Sequence, residues 1–143
     1  MSNASTESES RKKEEGKAAA QPIRGRILAV DDDPLVLKTV HEFLQGKYNV
    51  AVARSGDSAY RFLEKKHADL LLLDYEMPGE TGTTVLENIR SIPHCAKLPV
   101  IFLTGANDAA TVTRIMMLRP QGYLLKPIDQ EILISKIEEI LGY

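Results

Sequence analysis

From Gly25 onward, short apolar runs alternate with longer amphipathic segments. The runs are "RILAVD" at 26–31, "NVAVA" at 49–53, "DLLLLD" at 69–74, "PVIFLT" at 99–104 and "GYLLK" at 122–126. Most are continuously apolar, which is typical of strands covered on both faces in a parallel sheet. The segments between them repeat apolar residues every third or fourth position, the spacing of amphipathic helices. This alternation predicts an α/β domain in which helices cover both faces of a doubly wound parallel sheet.

Length and composition limit the class of protein. The chain has 143 residues, enough for one domain with a full core. Its 18 basic and 20 acidic side chains nearly balance, giving a formal net charge of -2, so they provide no general electrostatic reason to bind nucleic acid or an anionic membrane. Cys95 is the single cysteine and excludes an intramolecular disulfide, which fits a reducing compartment. The N-terminus has no apolar signal core, and no apolar run approaches the roughly 20 residues that a membrane-spanning helix needs. We therefore predict a cytoplasmic protein.

The first 24 residues differ in composition from the rest. They contain almost no large apolar side chains and are rich in Ser, Glu, Lys and Ala. Such a segment cannot bury enough surface to offset the entropy lost on ordering. We therefore predict a flexible extension over residues 1–24, in which "SNA" at 2–4 is typical of a tag remnant, and a folded domain over residues 25–143.

Chemically active side chains follow four of the five predicted strands. Asp31 and Asp32 follow the first strand, Asp74 ends the third, Thr104 ends the fourth and Lys126 ends the fifth. Ligands of open α/β sheets bind beyond the carboxyl ends of the strands. We therefore expect three carboxylates, one hydroxyl and one ammonium group to meet at one edge of the sheet.

That combination favours phosphoryl chemistry around a divalent cation. Three neighbouring carboxylates repel one another unless a cation joins them, and Mg²⁺ accepts one or two carboxylates together with water and phosphate. Asp74 then becomes a candidate nucleophile that forms an aspartyl phosphate. Lys126 and Thr104 are suited to contact phosphoryl oxygens. Each residue alone would be an ordinary turn or surface residue, and only their joint occurrence makes coincidence improbable.

Four motifs resemble the receiver domain of two-component response regulators, in particular the chemotaxis type. They are "VDDDP", "LLLLDYEMPGETG", "VIFLTG" and "GYLLKP". The resemblance implies a flavodoxin-like fold with five helices and five parallel strands in the order 2-1-3-4-5. It implies that Asp74 is the phosphoacceptor, and that Asp31, Asp32, Asp74 and the backbone carbonyl of Glu76 hold Mg²⁺.

Three further roles are implied by the same resemblance. Thr104 is similar to the switch hydroxyl that moves toward the phosphoryl group, and Tyr123 to the aromatic side chain that rotates with it. Lys126 resembles the phosphate-binding lysine of the family. The peptide bond between Lys126 and Pro127 is expected to be cis.

The resemblance also implies partners. A histidine kinase or a histidine phosphotransfer protein would supply the phosphoryl group. The surface formed by the fourth helix, fifth strand and fifth helix would bind a downstream protein or an output domain. A homodimer is a further possible assembly. The domain would signal, with self-catalysed phosphorylation and dephosphorylation, and would not turn over substrates as an enzyme. No direct contact with nucleic acid or membrane is expected.

Two other readings compete with this one. A Mg²⁺-dependent phosphatase of the haloacid dehalogenase type also uses an aspartyl nucleophile, but such enzymes carry Asp-x-Asp after the first strand, where this chain has adjacent aspartates. A pseudo-receiver that only binds partners is discouraged because every chemical position is filled.

Two local features complete the predictions. Asp33 and Pro34 favour a helix start, with Asp33 as the N-cap and Pro34 at the first helical position. Pro120 should end the fourth helix sharply, and Arg119 places a charge near the expected partner surface.

Overall fold

The computed structural model describes residues 22–143. The extension predicted for residues 1–24 lies outside the described residues except for its last three. The strands of the main sheet are β1 (Arg26–Val30), β2 (Asn49–Ala53), β3 (Leu70–Asp74), β4 (Val100–Thr104) and β5 (Gly122–Leu125). The helices are α1 (Pro34–Leu44), α2 (Gly56–Lys65), α3 (Gly82–Arg90), α4 (Ala109–Met117) and α5 (Gln130–Leu141). A two-stranded hairpin (Glu76–Met77 with Glu80–Thr81) precedes α3, and a 3₁₀ turn (Pro93–Cys95) follows it.

The five main strands form one parallel sheet in the order β2-β1-β3-β4-β5. This confirms the predicted order. The last paired residues lie side by side across the sheet: Val30 with Ala53, Val30 with Leu73, Asp74 with Leu103, and Thr104 with Leu125. The carboxyl ends of the strands are therefore nearly level, so the residues that follow them share one edge.

Both faces of the sheet are covered, which explains the continuously apolar runs. One face packs against α2, α3 and Ile115 of α4, and the other against α1 and α5. Buried apolar residues of the main strands on the first face are Leu28, Val30, Ala53, Leu71, Leu73, Val100 and Phe102. Those on the second face are Ile27, Ala29, Leu70, Leu72, Ile101, Leu103 and Leu124. Burial of these side chains supplies the main driving force for folding.

Each main helix begins at a polar residue whose side chain accepts a backbone amide of the first turn. The caps are Asp33, Ser55, Thr81, Asp108 and Asp129. Asp33 is the predicted N-cap of α1, and Pro34 occupies the first helical position, so both predictions are confirmed. None of the helices within residues 22–143 combines the length and apolar character needed to cross a membrane.

The fourth helix ends near Pro120, as predicted. Its last residue is Met117, three residues before Pro120, and Leu118 is its C-cap. Arg119 then adopts a positive φ of 55°. A left-handed backbone is uncommon for a residue with a side chain, so this short connection to β5 turns tightly at Arg119.

Arg24 packs on the domain although it was predicted to belong to the extension. Its backbone amide donates to Lys47 O at 2.8 Å, and its guanidinium pairs with Glu138 Oε2 at 2.8 Å. The hydroxyl of Tyr143 donates to Arg24 O at 2.6 Å. These contacts fasten the residues before β1 to the last turn of α5.

Candidate functional site

Three aspartates meet at the carboxyl edge of the sheet. Asp31 and Asp32 follow β1, and Asp74 ends the neighbouring strand β3. One carboxylate oxygen from each lies within 4.8 Å of the others. Asp31 is fully buried, Asp74 is 4% exposed and Asp32 is partly exposed. The group is therefore reached from solvent on the side of Asp32.

Lys126 is the cation that faces two of these carboxylates. It directly follows β5, and its Nζ lies 2.8 Å from Asp31 Oδ2 and 3.3 Å from Asp74 Oδ1. Burial of the ammonium lowers its pKa, but the hydrogen bond with Asp31 and the charges of both carboxylates outweigh burial, so the net pKa of Lys126 is raised. Lys126 is therefore a firmly protonated counterion.

The charged form of Asp74 remains unfavourable in spite of that counterion. Burial, followed by the charge of Asp31, raises the pKa of Asp74 from 3.8 to about 6. Lys126 and the backbone amide of Glu76, which donates to Asp74 Oδ1 at 3.3 Å, oppose the shift without cancelling it. Lys126 pairs with two of the three carboxylates, so the site carries an excess of negative charge and favours a further cation.

The donor atoms fit a hard divalent cation. Asp31 Oδ1 accepts the backbone amide of Asp33 at 3.0 Å, which fixes the orientation of the carboxylate. Asp31 Oδ2 is buried, and its charged partner is Lys126 Nζ at 2.8 Å. A carboxylate oxygen carries two lone pairs, so it can face a divalent cation as well as the ammonium group. All the side-chain donors are oxygens, as Mg²⁺ prefers.

Thr104 lies at the same edge, but its hydroxyl is engaged elsewhere. The side chain is 2% exposed. Its Oγ1 donates to Ala106 O and accepts from Ala106 N, both at 3.1 Å. The hydroxyl is therefore turned into the loop between β4 and α4.

Tyr123 and the peptide bond after Lys126 complete the predicted set. Tyr123 lies on β5 opposite Phe102 of β4 and is half-buried. The Lys126–Pro127 bond is cis, as the resemblance implies. Glu76 follows Asp74 by two residues at the start of the hairpin, with its side chain exposed.

Two side chains that sequence reasoning missed also contact the loops of this site. Arg54, just after β2, donates from Nη2 to Asp32 O at 3.2 Å. Glu80, in the hairpin after Asp74, accepts the backbone amide of Gly56 through Oε2 at 2.9 Å. The position of Arg54 at a strand end was the only available signal for the first contact. Nothing in the sequence pattern indicated the second.

Replacing Asp33 with alanine should affect stability and leave the cation site intact. Asp33 Oδ1 accepts the amide of Leu35 at 2.9 Å, and the side chain is exposed. Loss of such a cap costs about 1 kcal/mol, measurable by urea unfolding. The Asp33 amide that orients Asp31 belongs to the backbone and survives the substitution. Loss of Mg²⁺ binding in Asp33→Ala would show that this division between cap and cation site is wrong.

Comparison with known proteins identifies the class of domain. The family model of the response regulator receiver domain matches residues 27–138. The probable transcriptional regulator ycf29 of Porphyra purpurea is 35% identical over 117 residues, covering 80% of this chain and 56% of the relative. Chemotaxis protein CheY of Pseudomonas aeruginosa is 31% identical over 117 residues, covering 80% of this chain and 94% of the relative.

A solved structure supports the same assignment. Chemotaxis protein CheY4 of Vibrio cholerae superposes with a TM-score of 0.75 at 26% identity, covering 80% of this chain and 97% of that one. The chain spans between 16% and 56% of the length of five of the curated relatives it matches, ycf29 among them. Because the family model matches most of the described residues and a full-length relative exceeds 30% identity, the chain belongs to the response regulator receiver domain family of two-component systems.

Proposed function

We propose that Asp74 accepts a phosphoryl group and that this modification switches the partner surface of the domain. The observation that carries the proposal is the position of the Asp74 carboxylate. It is buried, lies 3.3 Å from Lys126 Nζ and lies next to two further carboxylates that can share a cation. A carboxylate nucleophile, a phosphate-binding ammonium and a metal site are the parts that phosphoryl transfer requires.

In the transfer, an oxygen of Asp74 attacks phosphorus while the bond between phosphorus and the donor breaks. The donor keeps the bonding electron pair, and it is a phosphohistidine of a histidine kinase or phosphotransfer protein, or a small acyl phosphate. With a pKa of about 6, Asp74 is mostly ionised at neutral pH and can attack. A Mg²⁺ ion held at this site would supply positive charge near the transferring oxygens. We propose Asp31, Asp32, Asp74 and the carbonyl oxygen of Glu76 as its protein ligands.

Phosphorylation would rearrange the hydrogen bonds at the edge of the sheet. The new phosphoryl oxygens compete for Lys126 Nζ, which pairs with Asp31 and Asp74 before the reaction. Thr104 can leave Ala106 and donate to a phosphoryl oxygen, since its hydroxyl is held by two neutral hydrogen bonds within one loop. That movement pulls the loop that leads into α4. Tyr123 would rotate in response.

The surface of α4, β5 and α5 is suited to receive the change. It carries exposed apolar side chains: Met116, Met117, Leu125 and Ile132, between 43% and 76% exposed. A soluble domain gains by covering such side chains with a partner. We therefore propose that a downstream protein or an output domain binds this surface. In this account the chain is a signalling domain, and its only catalysis is its own phosphorylation and dephosphorylation.

Treatment with acetyl phosphate tests the proposal. With Mg²⁺, the intact protein should gain the mass of one phosphoryl group, and chelation by EDTA should prevent the gain. Beryllofluoride, which mimics a phosphoryl group, should perturb Thr104 and Tyr123 in the NMR spectrum. A protein that shows neither change would be a pseudo-receiver. Sustained turnover of p-nitrophenyl phosphate would instead support a phosphatase.

A further inference from the structure

The turn between β2 and α2 contacts both loops that carry the proposed metal ligands. At its start, Arg54 Nη2 donates to the backbone oxygen of Asp32 at 3.2 Å. At its end, the amide of Gly56 donates to Glu80 Oε2 at 2.9 Å. Asp32 belongs to the loop after β1, and Glu80 to the hairpin after β3. Three consecutive residues therefore connect the two sides of the site.

The contact with Glu80 extends to Asp74 through the hairpin. Glu80 pairs with Met77, and the neighbouring pair is Glu76 with Thr81. The amide of Glu76 donates to Asp74 Oδ1. The hairpin has only two residues in each strand, and short ribbons of this kind are not stable by themselves. The hydrogen bond between the Glu80 side chain and the Gly56 amide of α2 therefore helps to fix the position of the Glu76 backbone.

The first turn of α2 is built to accept this carboxylate. Ser55 Oγ accepts the amide of Ser58, which leaves the amide of Gly56 for Glu80. A carboxylate at a helix N-terminus is also favoured by the helix dipole. A Cβ at position 56 would lie 2.6 Å from Glu80 Oε1 and 2.9 Å from Tyr60 Oη. Glycine therefore leaves the room that Glu80 needs.

We propose that Arg54 and Glu80 are positioning residues for the metal site. They hold the backbone of Asp32 and the backbone of Glu76 at the separation that a cation shared between the two loops requires. Neither side chain belongs to the cluster of carboxylates that could hold the cation. The inference rests on the proposed function, because it concerns ligands of the same Mg²⁺ site.

Mg²⁺ affinity, measured by titration calorimetry or NMR, tests the role of Glu80. Loss of a residue that orients a metal ligand typically weakens binding on the order of 10-fold, and we expect such a loss in Glu80→Ala. Glu80→Gln keeps an acceptor for the Gly56 amide and should bind nearly as well as the wild type. Gly56→Ala should displace Glu80 and weaken binding to a similar extent. In the double variant Gly56→Ala/Glu80→Ala the two losses should not add, because they remove one interaction.

The side of Asp32 is tested with a matched pair of arginines. Arg54→Ala should weaken Mg²⁺ binding several-fold. Arg61→Ala should leave it unchanged, because Arg61 is also an exposed residue but lies on α2 and pairs with Asp57 at 2.6 Å. Asp57→Ala is the corresponding control for Glu80. Urea unfolding of every variant shows whether the folded fraction stays complete during the titrations.

A second measurement does not depend on the metal. In the metal-free protein, hydrogen exchange at the Glu76 amide should be faster in Glu80→Ala and close to wild type in Glu80→Gln. If the wild type binds Mg²⁺ and Asp31→Asn does not, but Glu80→Ala and Arg54→Ala bind as tightly as the wild type, the positioning role is refuted. If the wild type itself fails to bind Mg²⁺, the proposed function is refuted instead.

Discussion

Asp74→Asn should abolish phosphorylation by acetyl phosphate in the presence of Mg²⁺. The amide of asparagine is a poor nucleophile, so the attack on phosphorus should not occur although the shape of the side chain is preserved. Intact-mass spectrometry measures the result directly. The wild type should gain one phosphoryl group, and the variant should keep its original mass.

Asp33→Asn is the matched control for this loss. It makes the same chemical change two residues from Asp31, and asparagine caps a helix about as well as aspartate. The control should be phosphorylated like the wild type. An equal mass gain in Asp74→Asn would place the phosphoryl group on another residue and overturn the assignment of the nucleophile.

Asp74→Asn should also stabilise the metal-free protein at neutral pH. The folded-state pKa of Asp74 is raised from 3.8 to about 6 by burial and by the charge of Asp31, so ionisation of Asp74 opposes folding. The difference between these two pKa values corresponds to at most about 3 kcal/mol. Asp74→Asn removes the charge and should raise the free energy of unfolding by up to that amount.

The sign of the pH dependence follows from the raised pKa. The stability contributed by Asp74 is fully present below pH 3.8, where its carboxyl is protonated in both states, and is lost as the pH rises through about 6. Urea unfolding without Mg²⁺ should therefore show similar stability for the two proteins at acid pH and a widening advantage for Asp74→Asn toward neutrality. If the free energies of unfolding of the wild type and Asp74→Asn changed in parallel with pH, ionisation of Asp74 would not oppose folding, and this account of its charge would be wrong.

The fold was largely predictable because both faces of the three central strands, β1, β3 and β4, are buried. That burial makes each of them a continuous apolar run, and all five predicted strands agree with β1 to β5 to within about one residue at either end. The level strand ends then bring Asp31, Asp32, Asp74 and Lys126 together, as the topology required. Asp33 and Pro34 marked the start of α1 by their own chemistry.

The remaining features depend on contacts that leave no pattern in the sequence. Arg54 and Glu80 reach backbone atoms 22 and 24 residues away, and a backbone acceptor or donor has no residue-type signature. The orientation of Thr104 depends on the conformation of the loop at Ala106. Arg24 binds the far end of α5, across most of the chain, so composition alone placed it in the extension.

The most direct test is chemical mapping of the phosphorylated residue. Borohydride reduces an acyl phosphate to an alcohol, so a phosphorylated aspartate becomes homoserine, which peptide mass spectrometry can locate. After treatment with acetyl phosphate and Mg²⁺, the account predicts homoserine at position 74 in the wild type and none when EDTA is present. Homoserine at Asp31 or Asp32, or a borohydride-resistant phosphate on a serine, threonine or histidine, would contradict it.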